Sequence, residues 1–251
     1  MINKQIERVE RPSPERFYRA FVLADKPVII TGAMEEWKAR SLWTIDYLKE
    51  RLGRKQVTVL VSPDGVFNGD PVKGYSEKRK HMGFDDYLDL ILQTSNGKEK
   101  YYLQQNPMSN FPELAEDIES PDHFKKENLI VSSLWFGPGG SVSPLHFDLS
   151  NNLLAQVKGR KRLIIYSPSQ FTRLYPHSAF SPIPHLSQVN TEKPDLVRFP
   201  KFEKAEAMEC ILEPGEILYI PSFWWHQVYT LDLAISIKLL VQRETIYLFF
   251  L

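Results

Sequence analysis

Ser141 to Pro168 reads SVSPLHFDLSNNLLAQVKGRKRLIIYSP, and the rest of the chain is best understood outward from it. His146 and Asp148 stand two residues apart. Two apolar segments follow, Leu153 to Val157 and Leu163 to Tyr166, joined by the short KGRK link. On a strand, residues two apart point to the same side, so this imidazole and this carboxylate can grip one metal ion. A second imidazole, His226, comes much later in the run IPSFWWHQV. Two histidines and one carboxylate on one side of an ion leave positions open, an arrangement suited to non-haem Fe(II) and oxygen chemistry.

From Leu129 onward, short apolar stretches alternate with the turn signals GPGG, KGRK and EPGE. That rhythm belongs to an antiparallel sandwich or barrel. The expected strands are Leu129–Phe136, Val142–His146, Asn152–Val157, Arg160–Tyr166, Ala207–Leu212, Ile217–Ile220, His226–Thr230 and Ala234–Val241. Ser167 to Tyr175 reads as helical. Pro176 to Pro200 is a long, proline-punctuated loop, and loops that long in a compact domain usually carry function.

The first half is more mixed. Ser13 can cap a helix running to Asp25, with Pro14 in its first turn. PVIITG, Pro27 to Gly32, reads as a buried strand closed by glycine. Thr44 caps a second helix with Ile45, Leu48 and Leu52 as its apolar stripe, and a third helix covers Phe84 to Gln93. Gln56 to Ser62 and Tyr101 to Gln105 read as strands. Pro63 to Gly83 is expected to be loop or a mobile edge, and Asn106 to Asn128 connection with a little helix. The expected organisation is one domain over residues 1–251, in which residues 1–128 buttress a barrel made by residues 129–251.

Composition narrows the function. The 251 residues carry 31 basic and 31 acidic side chains, a balance without an obvious nucleic-acid or anionic-membrane surface. The single cysteine, Cys210, permits no internal disulfide and suits a reducing compartment. Met1 to Pro12 is polar and charged, unlike a signal peptide, and the apolar run Ile246 to Leu251 is too short to span a bilayer. A soluble, cytoplasmic protein is the expectation.

Lys161 begins a strand whose same-parity neighbours, Leu163 and Ile165, are apolar. An amine pointing into a barrel needs an anionic partner, which a dicarboxylate ligand would provide; snorkelling to solvent at the strand end is the alternative. HFD, the following NN, KGRKR, LYP at Leu174, SQV at Ser187, RFPKF and PGEILYIPSFWWH together resemble the small JmjC (cupin-like) Fe(II)/2-oxoglutarate oxygenases, with likeness from about Pro27 to Val228. The asparaginyl hydroxylase and the tRNA wybutosine-synthesising hydroxylase of that family are similar in motif.

The resemblance implies a mainly β fold: a double-stranded β-helix (jelly-roll) buttressed by N-terminal helices. It implies iron held by His146, Asp148 and His226. It implies 2-oxoglutarate held by Lys161, with Ser143 and Tyr102 at the same end and Asn152 facing it. O2 is then the oxidant, and the products are succinate, carbon dioxide and a hydroxylated substrate. Gln104, His185, Leu186 and Trp225 are the expected substrate contacts. Departures bear on substrate choice. His185-Leu186 replaces the Arg-Gln pair of the asparaginyl hydroxylase. Lys238 stands where that enzyme has an asparagine near the cosubstrate, so it can assist a carboxylate, recruit an acidic group or pair locally.

The dimer-forming C-terminal helices of that hydroxylase have no counterpart here, which leaves a homodimer possible but unsupported. The partner is expected to be a protein or small-molecule substrate. A tRNA substrate, with the clusters Lys78-Arg79-Lys80, Lys125-Lys126 and Lys158 to Arg162 as a basic surface, is the less favoured reading. A metal-binding cupin with other chemistry or without turnover is the remaining alternative.

Overall fold

The structure is a computed structural model that describes residues 2–68, 79–93, 97, 99–119, 121 and 129–242. Fourteen strands form among these residues. They are β1 (Ile2–Gln5), β2 (Arg8–Glu10), β3 (Val28–Thr31), β4 (Gln56–Ser62), β5 (Arg79–Gly83), β6 (Lys100–Pro107) and β7 (Leu129–Gly137), then β8 (Val142–Phe147), β9 (Asn151–Lys158), β10 (Lys161–Tyr166), β11 (Ala207–Leu212), β12 (Ile217–Ile220), β13 (Trp225–Thr230) and β14 (Ala234–Val241). The α-helices are α1 (Pro14–Phe17), α2 (Ala39–Leu42), α3 (Ile45–Leu52) and α4 (Phe84–Gln93).

Two sheets face each other as a jelly-roll. One has the order β1-β11-β10-β13-β8, the other β2-β3-β12-β9-β14-β7-β6-β4-β5. The eight strands expected after Leu129 all form, with ends shifted by a residue or so. Turn chemistry explains the tight link of the opening stretch: Gly159, between β9 and β10, has φ 65°, and a Cβ there would lie 2.3 Å from the Leu233 carbonyl. Only glycine tolerates both conditions.

The first half supplies more strand than expected. β1 pairs in parallel with β11, and β2 with β3, so the N-terminus extends both sheets. Arg79–Gly83 is β5, an antiparallel edge strand on β4, so of the two expectations for Pro63 to Gly83, loop or a mobile edge, these residues take the edge position. RKHMG has no apolar alternation, and the backbone pairing with β4 fixes its conformation. Ser13 caps α1 as expected, its Oγ accepting from Arg16 N–H, but the helix then widens into a π-helical turn, Tyr18–Val22. Thr44 caps α3 in the same way. Lys78, Lys125-Lys126 and the apolar tail Ile246 to Leu251 lie outside the described residues. No helix among the described residues is long and apolar enough to cross a membrane.

The helices pack on the outer face of the nine-stranded sheet, where Phe17, Trp37, Trp43, Leu48 and Leu88 meet Leu153, Ala155, Tyr219 and Ile237. The outer face of the other sheet is covered by Tyr166, Leu174, Trp225 and Tyr229. Between the sheets one region is apolar, filled by Ile29, Leu154, Leu163, Ile165, Leu218 and Ile220. Each such buried aliphatic side chain contributes about 1.5–3 kcal/mol relative to exposure. Beside it between the sheets lie buried polar side chains, Ser143, Asn152, Lys161, His226 and Lys238 among them.

Candidate metal and cosubstrate site

β8 and β13 are adjacent and antiparallel, and His146 lies directly opposite His226 in the register. Their rings are 4.2 Å apart between centroids. Asp148 follows β8 by one residue, and its Oδ2 is 3.6 Å from His226 Nε2. One ligand atom from each of the three side chains lies within 4.8 Å of the other two. The turn between β12 and β13 is tied to this strand end: Phe223, at φ 65°, donates its N–H to the Asp148 carbonyl at 2.8 Å, and Ser222 N–H donates to Asn151 Oδ1 at 3.0 Å.

Hydrogen bonds choose the imidazole tautomers. His146 Nδ1 sits 2.7 Å from the Pro144 carbonyl and His226 Nδ1 3.0 Å from the Trp224 carbonyl. A carbonyl only accepts, so each Nδ1 carries the proton and each Nε2 keeps a lone pair for a metal. Burial lowers the pKa of His146 to about 3, helped by the neighbouring His226; burial likewise lowers that of His226. Burial alone would raise the Asp148 pKa, but Lys238, His226 and His146 together hold it well below the usual carboxylate range. At neutral pH all three therefore present lone pairs. The donor set fits a divalent ion such as Fe(II). Cys210 does not compete: it lies in the apolar core, and burial pushes its thiol up to about 12.

Behind the trio lies an inner chamber of ≈ 30 Å³, lined by Tyr102, Trp135, Ser143, Asn152, Lys161 and Lys238 among others. Parity explains the gathering. Lys161 pairs with Thr230 and Ile165 with His226 across β10 and β13, so lysine and histidine share the inward face of one sheet. Lys238 opposes Leu154 on the facing sheet. Lys161 is 1% exposed, between the rings of Trp135 and Tyr102 at 5.9 and 6.0 Å. Among the described residues no carboxylate pairs with it. Burial, then the nearby Lys238, lowers its pKa to about 7. Asn152 donates from Nδ2 to Asp148 Oδ2 at 2.9 Å, while its Oδ1 and Trp135 Nε1 are buried without partners. A buried lysine without an anion, beside unpaired polar atoms, is the chemistry of a carboxylate site. Gly137 makes room for it: a Cβ there would sit 2.2 Å from the Tyr102 ring.

An outer cavity of ≈ 480 Å³ opens onto His146 and Trp135, lined also by Arg79, Gln104, Gln105, Asn106, His185 and Leu186. The loop after Pro176 runs beside β8, with Leu186 bridging to His146 and the His185 carbonyl accepting from Phe147 N–H. Gln104 Oε1 is buried without a partner. Trp225 is elsewhere, which corrects its place among the substrate contacts. It is fully buried on the outer face of its sheet, against Phe147 and Phe171. As the strand neighbour of inward-facing His226 it must point the other way. Trp135 and Gln105, which no sequence motif marks, line the outer cavity, as does Arg79 of the basic cluster considered for the less favoured tRNA substrate.

A double-stranded β-helix with two histidines and an aspartate between its sheets, beside a buried lysine, defines the cupin-like oxygenases. The cupin-like domain family model matches residues 14–241, and the chain belongs to that family, in its JmjC branch, whose enzymes are typically 2-oxoglutarate-dependent oxygenases. It is 39% identical over 242 residues to lysine-specific demethylase 8 of Danio rerio, covering 94% of this chain and 58% of that protein. Against lysine-specific demethylase JMJ30 of Arabidopsis thaliana the identity is 36%, covering 94% and 54%. Human tRNA wybutosine-synthesizing protein 5 is 30% identical, with 93% of this chain and 76% of that protein covered. The human bifunctional peptidase and (3S)-lysyl hydroxylase JMJD7 is also 30% identical, covering 86% and 77%. The chain thus spans little more than half the length of the demethylases it matches.

Proposed function

We propose that this protein is a dioxygenase that uses Fe(II), 2-oxoglutarate and O2 to hydroxylate an unactivated C–H of a protein side chain, releasing succinate and carbon dioxide. The observation that carries this reading is the convergence of His146, Asp148 and His226 beside Lys161, a buried cation with no carboxylate partner among the described residues. Fe(II) held there would supply O2 activation coupled to cosubstrate decarboxylation. His146 and His226 offer Nε2, and Asp148 its carboxylate. Lys161 would hold the distal carboxylate of the cosubstrate, with Tyr102, Ser143 and Asn152 as hydrogen-bonding neighbours. Leu154, Ile220 and Val228 line the same chamber and keep water from the reacting atoms.

The outer cavity bears on the substrate. Its described lining carries one guanidinium, two imidazoles and several carboxamides, and no carboxylate. A lysine or arginine side chain would find no counter-charge there, whereas an amide or acidic side chain would find donors. The names of several relatives point to lysine; this lining would offer a lysine carboxamide oxygens, Gln104 Oε1 among them, but no counter-charge. A tRNA substrate is less favoured because the 158–162 cluster is already engaged: Lys158 donates to the Arg40 carbonyl, Arg160 pairs with Asp232, Arg162 with Glu209, and Lys161 is buried.

The test is succinate release with Fe(II) and 2-oxoglutarate, screened against peptides carrying Asn, Asp or Gln, peptides carrying Lys or Arg, and tRNA. Turnover stimulated by the first set and lost in Asp148→Ala is expected. Turnover by Asp148→Ala would contradict the metal assignment. Stimulation by lysine peptides or by tRNA alone would contradict the substrate class, and metal binding without succinate release would favour a cupin module of another kind.

A further inference from the structure

The metal-binding carboxylate already has a cation. Lys238 Nζ lies 2.9 Å from Asp148 Oδ1 and 2.7 Å from Oδ2. This lysine comes from the middle of β14, on the sheet facing the histidines, and is 6% exposed. Trp135 walls it on another side, the ring centroid 5.5 Å from Nζ. A buried ammonium and a buried carboxylate stabilise one another strongly, because either one alone would be an uncompensated charge. A divalent ion held by His146, Asp148 and His226 needs a lone pair of that same carboxylate. Two cations would then share one anion within a few ångströms, and Lys238 would lose much of its counter-charge. The inner chamber is lined by Lys161 and Lys238 and, among the described residues, by no carboxylate, so a replacement anion there would come from a ligand.

The geometry points to Lys238 as a latch on the metal site: it holds Asp148 until a divalent ion displaces it, and then takes the metal-side carboxylate of the dicarboxylate ligand as its new counter-ion. This rests on the iron and 2-oxoglutarate reading of the site and adds to it. Lys238 is a positioning residue here, acting through Asp148 and the ligand. The consequence is thermodynamic. Metal alone binds against the latch and metal with dicarboxylate does not, so the lysine contributes to the coupling between the two ligands. The pairing also ties β14 of one sheet to the end of β8 on the other, so the latch pre-orients the carboxylate before metal arrives.

The experiment is a Mn(II) titration of the metal-stripped full chain, reading free Mn(II) by its EPR signal, with and without saturating 2-oxoglutarate. Wild type is compared with Lys238→Met, which keeps the stem and removes the charge, and with Lys238→Asn, which is shorter. Without 2-oxoglutarate, both variants are expected to bind Mn(II) about tenfold more tightly than wild type. With Mn(II) bound, both are expected to bind 2-oxoglutarate about tenfold more weakly. A purely structural role for Lys238 would lower the melting temperature without tightening metal binding. Unchanged or weaker Mn(II) affinity in either folded variant overturns the latch. Wild type indistinguishable from His146→Ala in Mn(II) binding would instead overturn the metal site itself, so the two failures are separable.

Discussion

Replacing Lys161 with methionine is expected to stabilise the ligand-free protein while destroying its affinity for 2-oxoglutarate. The ammonium is buried between two aromatic rings without a carboxylate partner among the described residues, so charge there opposes folding. A pKa lowered from 10.5 to about 7 corresponds to on the order of 4–5 kcal/mol of destabilisation carried by the charged form. Below pH 7 both folded and unfolded chains hold the proton, and the penalty is present in full. As pH rises from about 7 towards 10.5 the unfolded chain binds more protons than the folded one, so this group's contribution to stability improves with pH. Relief of even half the penalty would raise the melting temperature of a chain this size by roughly 5 °C or more at pH 6. Binding changes in the opposite sense: a buried, charge-paired contact to a ligand carboxylate is worth about 2–5 kcal/mol, so affinity should fall about 30-fold or more. Thermal melts at pH 6 without ligand, and calorimetric titration of 2-oxoglutarate with Mn(II) present, measure both. A variant that melts below wild type, or binds 2-oxoglutarate within a few-fold of it, would refute the reasoning.

Three further outcomes are expected. The same lysine must be charged to bind a carboxylate, so 2-oxoglutarate affinity should weaken about tenfold between pH 6 and pH 8, a trend absent in Lys161→Met. Asn152→Ala removes a hydrogen bond to Asp148 Oδ2 and should cost about 10- to 100-fold in Mn(II) affinity, the usual effect of losing a ligand's supporting partner. Gly137→Ala puts a methyl 2.2 Å from the Tyr102 ring; displacement of that ring should cost about 1–3 kcal/mol in urea unfolding and weaken 2-oxoglutarate binding as well.

The site was legible where strand parity could be read on one-sided strands. His146 and Asp148 declare a shared side by their spacing, and Lys161 declares its side through Leu163 and Ile165. Trp225 shows the same rule neglected: it adjoins His226 in an extended segment, so the two cannot face one cavity. Trp135 was harder to find because β7 is buried on both sides at that end, and an apolar run without alternation does not say which face a residue takes. β1, β2 and β5 were hidden for a different reason. INKQ, RVE and RKHMG lie at sheet edges, where pairing with β11, β3 and β4 fixes an extended backbone regardless of side-chain pattern. Arg79 is an exposed surface charge that also lines the outer cavity, and only the position of β5 brings it there. The ion pair between Lys238 and Asp148 joins residues ninety positions apart, and no local pattern announces such a pair.

The most direct measurement is a crystal structure grown anaerobically with Mn(II) and 2-oxoglutarate, with anomalous scattering collected at the manganese edge. The expected result is one strong anomalous peak bonded to His146 Nε2, His226 Nε2 and an Asp148 oxygen, and a dicarboxylate whose far end meets Lys161. A peak elsewhere, or one that leaves out either histidine, would contradict the account.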